Sequence, residues 1–282
     1  MLPTPDTSHV PYQRVYEPAE DSFLLLDTLS SPSETSFLTS RFGNQQPAPL
    51  ILEVGPGSGV VIAFLTANAH TILGTSNLLT LAIDVNRYAC TSTLQTVSRA
   101  IADSSQQQQP ESQSAGGTGT GTFLTPLQGD LTTPLRKNQV DVLVFNPPYV
   151  PTEELPSPPS PTTTTTTTTT TKSKGENTTF AQDSHLLELS YAGGKDGMET
   201  TNKLLDSLPT VLSDRGVAYI LLCAQNKPDE VKERIRAWEC PPLSSSLSVD
   251  RYSWKAETVG FSGKQAGWEK LQIVRIWRDF SA

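Results

Sequence analysis

Four short apolar runs in this chain each stop on a residue that does not belong in a core. PLILEVG (49–55) stops at Gly55, LLTLAIDVN (78–86) turns polar at Asp84, FLTPLQGD (123–130) ends on Asp130, and VDVLVFNPPY (140–149) breaks at Asn146. The segments GVVIAFLTANA and RYACTSTLQTVSRAI, which come after the first two runs, have helical spacing. Continuous apolar strands alternating with helices predict a parallel sheet covered on both faces. A helical stretch, TTNKLLDSLPTVL, then leads into a fifth run, GVAYILLCA (216–224). PDEVKERIRAWE reads as a helix with Pro228 at its start, where the missing N–H costs nothing. The chain ends on DRYSWKAETVGF and KLQIVRIWR, which alternate as an antiparallel pair would. The predicted fold is one α/β domain over 1–282, with seven strands, mostly parallel, and an antiparallel C-terminal strand pair.

Two tracts lie outside this pattern. Residues 104–122, SSQQQQPESQSAGGTGTGT, and residues 152–179, with ten consecutive threonines after a Pro-rich lead, have too little apolar area to offset ordering entropy. Both are expected to be disordered insertions. They account for an apolar content of only 36% in 282 residues. Three cysteines with no C-x-x-C spacing argue against a zinc site or a disulfide framework within the chain. The longest apolar runs fall short of the ~20 residues of a membrane span, and the N-terminus lacks a signal-peptide pattern. The expected setting is soluble and intracellular: the cytoplasm, with the nucleus second. A formal charge of −8 with dispersed basic residues counts against a nucleic-acid substrate.

Ligands of open α/β sheets bind beyond the C-terminal strand ends, where the four runs break. LEVGPGSGVV places Gly55, Gly57 and Gly59 between the first strand and a helix, the arrangement that lets a ligand approach backbone at a helix N-terminus. This G-x-G-x-G differs from the dinucleotide spacing G-x-G-x-x-G. Glu53 sits inside the apolar run and needs a cation or donor. Asp84 lies where Rossmann-type folds bind ribose hydroxyls, and Asp130 is placed for an adenine amino group. Each acid alone could be a helix cap. Three in register beside a glycine loop favour a shared ligand. VYEPAEDSFLLLDTL (15–29) reads locally as an acidic, Pro-containing turn into a helix.

Together, YEPAEDSFLLLD, LEVGPGSGVV, DVN, GDL, LVFNPPYV, YAGGKDG (191–197) and KQAGWEKL (264–271) resemble the HemK-related protein glutamine methyltransferases, which include the enzyme that modifies the eukaryotic class-one release factor. The resemblance implies a Rossmann-like class I methyltransferase domain that uses S-adenosylmethionine. It implies that Tyr16, Pro18, Asp21 and Ser22 lie over the cofactor. Glu53 and the glycine loop would hold the methionine portion, Asp84 the ribose, and Asp130 with Leu131 the adenine, with Val85 and Asn146 also among the cofactor-binding residues. Ser22 stands where relatives usually have Thr, and Pro56 where they often have a small residue.

Asn146, Pro147 and Tyr149 are the expected catalytic residues. The Asn146 side-chain oxygen and the Pro147 carbonyl would accept hydrogen bonds from a target NH₂, against the flat wall of Tyr149. The prolines, with φ near −65°, would stiffen that turn. No metal is called for. The substrate implied is the glutamine of a release-factor Gly-Gly-Gln segment. An adenine amine on DNA or RNA, a protein lysine, and a scaffold without turnover are the alternatives. The resemblance also implies a small zinc-binding activator subunit, covering an apolar edge strand near 123–127 in a heterodimer.

Overall fold

The computed structural model describes residues 2–43, 47–107, 119–157, 175–240, 252–262 and 270–280. The strands β1 (Leu50–Val54), β2 (Leu79–Asp84), β3 (Thr122–Gln128), β4 (Val140–Phe145), β5 (Leu212–Cys223), β6 (Ser253–Phe261) and β7 (Leu271–Asp279) form one sheet. Their order is β3-β2-β1-β4-β5-β7-β6. The first five pair in parallel and β7 runs antiparallel to both β5 and β6. The predicted fold class is the observed one. The order reverses between β1 and β4, so the crevice of an open α/β sheet opens above those two strands.

β4 is buried along its whole length, and its side chains alternate between two cores. Val142 and Val144 face one side, with Phe42, Ile62 and Phe64; Leu143 and Phe145 face the other, with Leu204, Leu208 and Ile235. The first layer contains α1 (Glu20–Leu29), α2 (Pro32–Phe42), α3 (Val60–Ala67), α4 (Ala69–Leu73) and α5 (Arg87–Gln107). On the second lie α7 (Glu199–Val211) and α8 (Pro228–Arg236). α6 (Gly175–Tyr191) precedes α7 in the chain. Each fully buried side chain of β4 is worth about 1.5–3 kcal/mol relative to exposure. β4 is therefore a rigid base for the turn that begins at Asn146.

β3 contrasts with β4. It is the edge strand, with no fully buried residue, and Leu124 is 50% exposed. The first polar tract is entered by defined structure at both ends, since α5 runs to Gln107 and β3 begins at Thr122; its body lies outside the described residues. Most of the second tract and residues 264–269 of KQAGWEKL also lie outside them. Among the described residues no helix is long and apolar enough to cross a membrane.

Candidate active site

A cavity of about 350 Å³ opens at the C-terminal ends of β1, β2 and β4. It has an acidic half and an amide half.

The acidic half starts from the strand-to-helix turns. Gly55 and Gly57 both have positive φ, 61° and 53°, and line the cavity. Asp84 ends β2 and accepts from the backbone N–H of Asn86 (2.8 Å, Oδ1) and of Gly57 (3.2 Å, Oδ2). Glu53 Oε2 accepts from the N–H of Ile62 at 2.7 Å, in the first turn of α3. Both carboxylates are buried. Burial pushes Glu53 up to about 8 and Asp84 up to about 6, because backbone donors only partly replace water around the charge. Val85, Asp130 and Leu131 complete the far wall, Leu131 with a φ of 48°.

The amide half is built on the turn after β4. Asn146, Pro147 and Tyr149 line the cavity together with Tyr16, Asp21 and Ser22. Asn146 Nδ2 donates to Asp21 Oδ2 at 3.0 Å, and the Tyr16 hydroxyl donates to the same oxygen at 3.0 Å. Asp21 Oδ1 accepts from the Ser22 N–H at 2.6 Å and from its hydroxyl at 3.2 Å. A carboxylate only accepts, so Asp21 decides which end of the Asn146 amide faces it. The NH₂ is taken, and the buried Oδ1 has no partner among the described residues. An unsatisfied buried acceptor costs about 1–3 kcal/mol. Its persistence on a cavity wall marks a place for a donor from outside the chain.

Most predicted site residues meet in this one cavity. Two do not line it. Pro18 lies just before α1, outside the cavity lining. Gly59 serves helix packing: a Cβ there would lie 2.6 Å from the Thr93 Cα of α5, at a φ of 81°. Asp21 lines the cavity and contacts Asn146, Tyr16 and Ser22. Sequence reasoning missed Lys203 and Thr200 of α7, and Leu186 and Leu189 of α6, all of which line the cavity. The two leucines stand just before the YAGGKDG motif; the α7 pair carried no motif signal.

The cavity suits the cofactor implied by its strand ends. It offers buried acids left without a cation among the described residues, bare backbone at two glycines, and an orphaned acceptor beside them. A seven-stranded sheet of this order, with such a pocket against an Asn-Pro-Pro-Tyr turn, defines a class I S-adenosylmethionine-dependent methyltransferase. No family model matches the chain. Individual proteins do. It is 31% identical to the eRF1 methyltransferase catalytic subunit mtq2 of Schizosaccharomyces pombe, over 99% of this chain and 96% of that one. It is 32% identical to Methyltransferase HEMK2 of Mus musculus (98% and 96% covered) and of Homo sapiens (97% and 95%). The chain belongs to the HemK-related methyltransferase family.

Proposed function

We propose that the chain methylates the side-chain amide nitrogen of the glutamine in the Gly-Gly-Gln segment of a class-one peptide release factor. The observation that carries this reading is the Asn146 amide, its NH₂ held by Asp21 and its bare oxygen buried at the cavity wall. That oxygen calls for an N–H donor on the substrate. The names of the relatives, an eRF1 methyltransferase subunit among them, support the choice of release factor.

When bound, S-adenosylmethionine supplies a methyl group on a positively charged sulfur. Glu53, Gly55 and Gly57 would hold its methionine portion, Asp84 and Val85 its ribose, and Asp130 and Leu131 its adenine. An amide nitrogen is a poor nucleophile because its lone pair is delocalised into the carbonyl. The chain's task is alignment. Asn146 Oδ1 and the Pro147 carbonyl would each accept one N–H of the target. Tyr149 would flank its plane, and the apolar Leu186 and Leu189 would exclude water. No base is required, since the proton can leave after transfer.

We further propose that a small zinc-binding activator covers β3, and that the pair works in the cytoplasm. Support comes from the edge position of β3 and the exposed Leu124. Co-expression should raise soluble yield and activity; full activity of the isolated chain would count against the heterodimer. Mass spectrometry of release factor, duplex DNA and a lysine peptide, each incubated with enzyme and labelled cofactor, tests the substrate. The expected label is on the glutamine. Label on DNA alone would overturn the reading.

A further inference from the structure

The turn that carries Asn146 is fastened to the rest of the chain by a residue the catalytic reading does not use. Asn226 closes the 3-10 turn Ala224–Asn226 after β5 and is 2% exposed. Its Oδ1 accepts from the Cys223 N–H at 2.8 Å. Its Nδ2 faces three backbone carbonyls: Asp196 at 3.0 Å, Tyr149 at 3.2 Å and Gly197 at 3.4 Å. One amide therefore clips the end of β5 to the turn after β4 and to the loop after α6.

That loop is the YAGGKDG motif, and its glycines fit this purpose. A Cβ on Gly197 would lie 2.0 Å from the Tyr149 oxygen and 2.8 Å from Asn226 Nδ2, at a φ of 67°. On Gly193 it would lie 2.4 Å from the Pro148 oxygen. Only bare backbone can come this close. The two segments are also laced together by hydrogen bonds: Val150 N–H to Tyr191 O (3.0 Å), Gly193 N–H to Val150 O (2.8 Å), and Thr152 N–H to Gly194 O (3.0 Å). Upstream, Pro147 and Pro148 each fix φ. Downstream, residues 150 and 152 are tied to 191–194, and Tyr149 is tied to Asn226. Asn226 holds the first of these ties, the carbonyl of Tyr149 itself.

We infer that Asn226 is a positioning residue for methyl transfer: by gripping the Tyr149 carbonyl it sets the orientation of the Asn146–Tyr149 turn and so of the acceptors that aim the substrate nitrogen. This rests on the catalytic role given to that turn, but not on which acceptor is methylated. The cofactor residues Glu53, Gly55, Gly57 and Asp84 hang from β1 and β2, which Asn226 does not touch. Loss of Asn226 should therefore fall on kcat far more than on cofactor affinity.

The test compares Asn226→Ala and Asn226→Asp with wild type, prepared identically, on whichever acceptor wild type methylates. For Asn226→Ala the expected result is a fall in kcat of roughly 100-fold, the scale of an ångström-level misplacement. Cofactor dissociation constants from calorimetry should stay within about threefold, a kcat-against-binding split. Asn226→Asp carries its own control. Its carboxylic acid can donate one hydrogen bond to the facing carbonyls when protonated and none when ionised. Its methylation rate should fall as pH rises through that group's titration, on a limb absent from wild type. If the alanine variant does not fold, the pH profile of the aspartate variant decides alone. A profile superimposable on that of wild type, or kcat and affinity lost in equal proportion, would overturn the inference. Wild-type turnover on DNA but not on release factor would instead overturn the glutamine reading and leave the comparison of variants intact.

Discussion

Among the buried carboxylates of the described residues, two pairs are treated in opposite ways. Glu34 of α2 meets Arg275 of β7, with Nη1 at 2.8 Å and 3.0 Å from its two oxygens, and accepts from the Tyr219 hydroxyl at 2.8 Å. Asp141 of β4 meets Arg215, 2.8 Å from Nε, and the Ser213 hydroxyl at 2.6 Å. Glu53 and Asp84, equally buried, meet only backbone N–H groups, and among the described residues neither forms an ion pair. A structural acid brings its cation within the same chain. An acid raised by burial and left with spare lone pairs is arranged for something that arrives later. Both kinds look alike as letters in an apolar run, and only their neighbours separate them.

The largest effect should come from disturbing a structural pair. Arg275→Met leaves Glu34 buried without its cation and removes a guanidinium stacked 3.9 Å from the Phe37 ring centroid and 4.5 Å from that of Trp277. Breaking one partner of a buried pair costs about 3–5 kcal/mol. For a domain of this size that lowers Tm by roughly 10 °C, readable by thermal unfolding. Adding Glu34→Gln should restore part of the loss. If Arg275→Met alone leaves Tm unchanged, the structural pair is no more than a surface-type contact and the contrast fails.

Next in size is the amide half of the cavity. Asn146→Ala should lower methyl transfer by about 10²–10³-fold, the range for losing one preorganised polar group, with cofactor binding nearly intact. Near wild-type transfer would remove Asn146 from the chemistry. Smaller again is Glu53→Gln. It should weaken cofactor binding by roughly 10–100-fold, as expected for one charge-assisted contact of about 1.5–3 kcal/mol, while leaving the apo fold as stable as before or more so. A large loss of Tm would mean that Glu53 is a structural acid after all.

How much of this was legible in the sequence depends on the range of the interactions. The sheet was, because β1, β2, β4 and β5 are apolar runs whose burial needs no partner beyond their own layer. The strand-end acids were, because a polar residue that closes such a run lies at the sheet's C-terminal edge. The packing side of Gly59 was not legible, since a glycine for ligand approach and one for helix packing are the same letter, and the Thr93 it packs against is 34 residues away. Asp21 was placed near the cavity but not against Asn146, a contact spanning 125 positions. Asn226 had no signal at all: its three carbonyl partners are backbone, which leaves no trace in side-chain pattern.

The finest test of the contrast is a proton. Burial holds Glu53 at about 8 and Asp84, which faces it from β2, at about 6. Since both lie above their ordinary values, the contribution of these two groups to apo stability should be greatest at low pH and be lost as pH rises from about 4 to about 6 for Asp84 and to about 8 for Glu53, by up to about 1.4 kcal/mol per pH unit for each group. A cation brought in beside Glu53 favours the ionised form and pulls its pKa down. Cofactor binding near pH 7 should then release a fraction of a proton, up to about one. Affinity should rise between pH 6 and 8, by less than about tenfold per unit, and level off as the ligand's α-amino group, ordinarily near ~8, begins to titrate. Calorimetry in two buffers of different ionisation enthalpy reads the proton directly. Glu53→Gln should remove most of the release and flatten the apo stability profile above pH 6, where Asp84 is already ionised. Binding without proton release in wild type would mean that Glu53 is already ionised or never meets the cation. Arg275→Met, on the structural side of the comparison, should leave the proton count unchanged in whatever fraction remains folded.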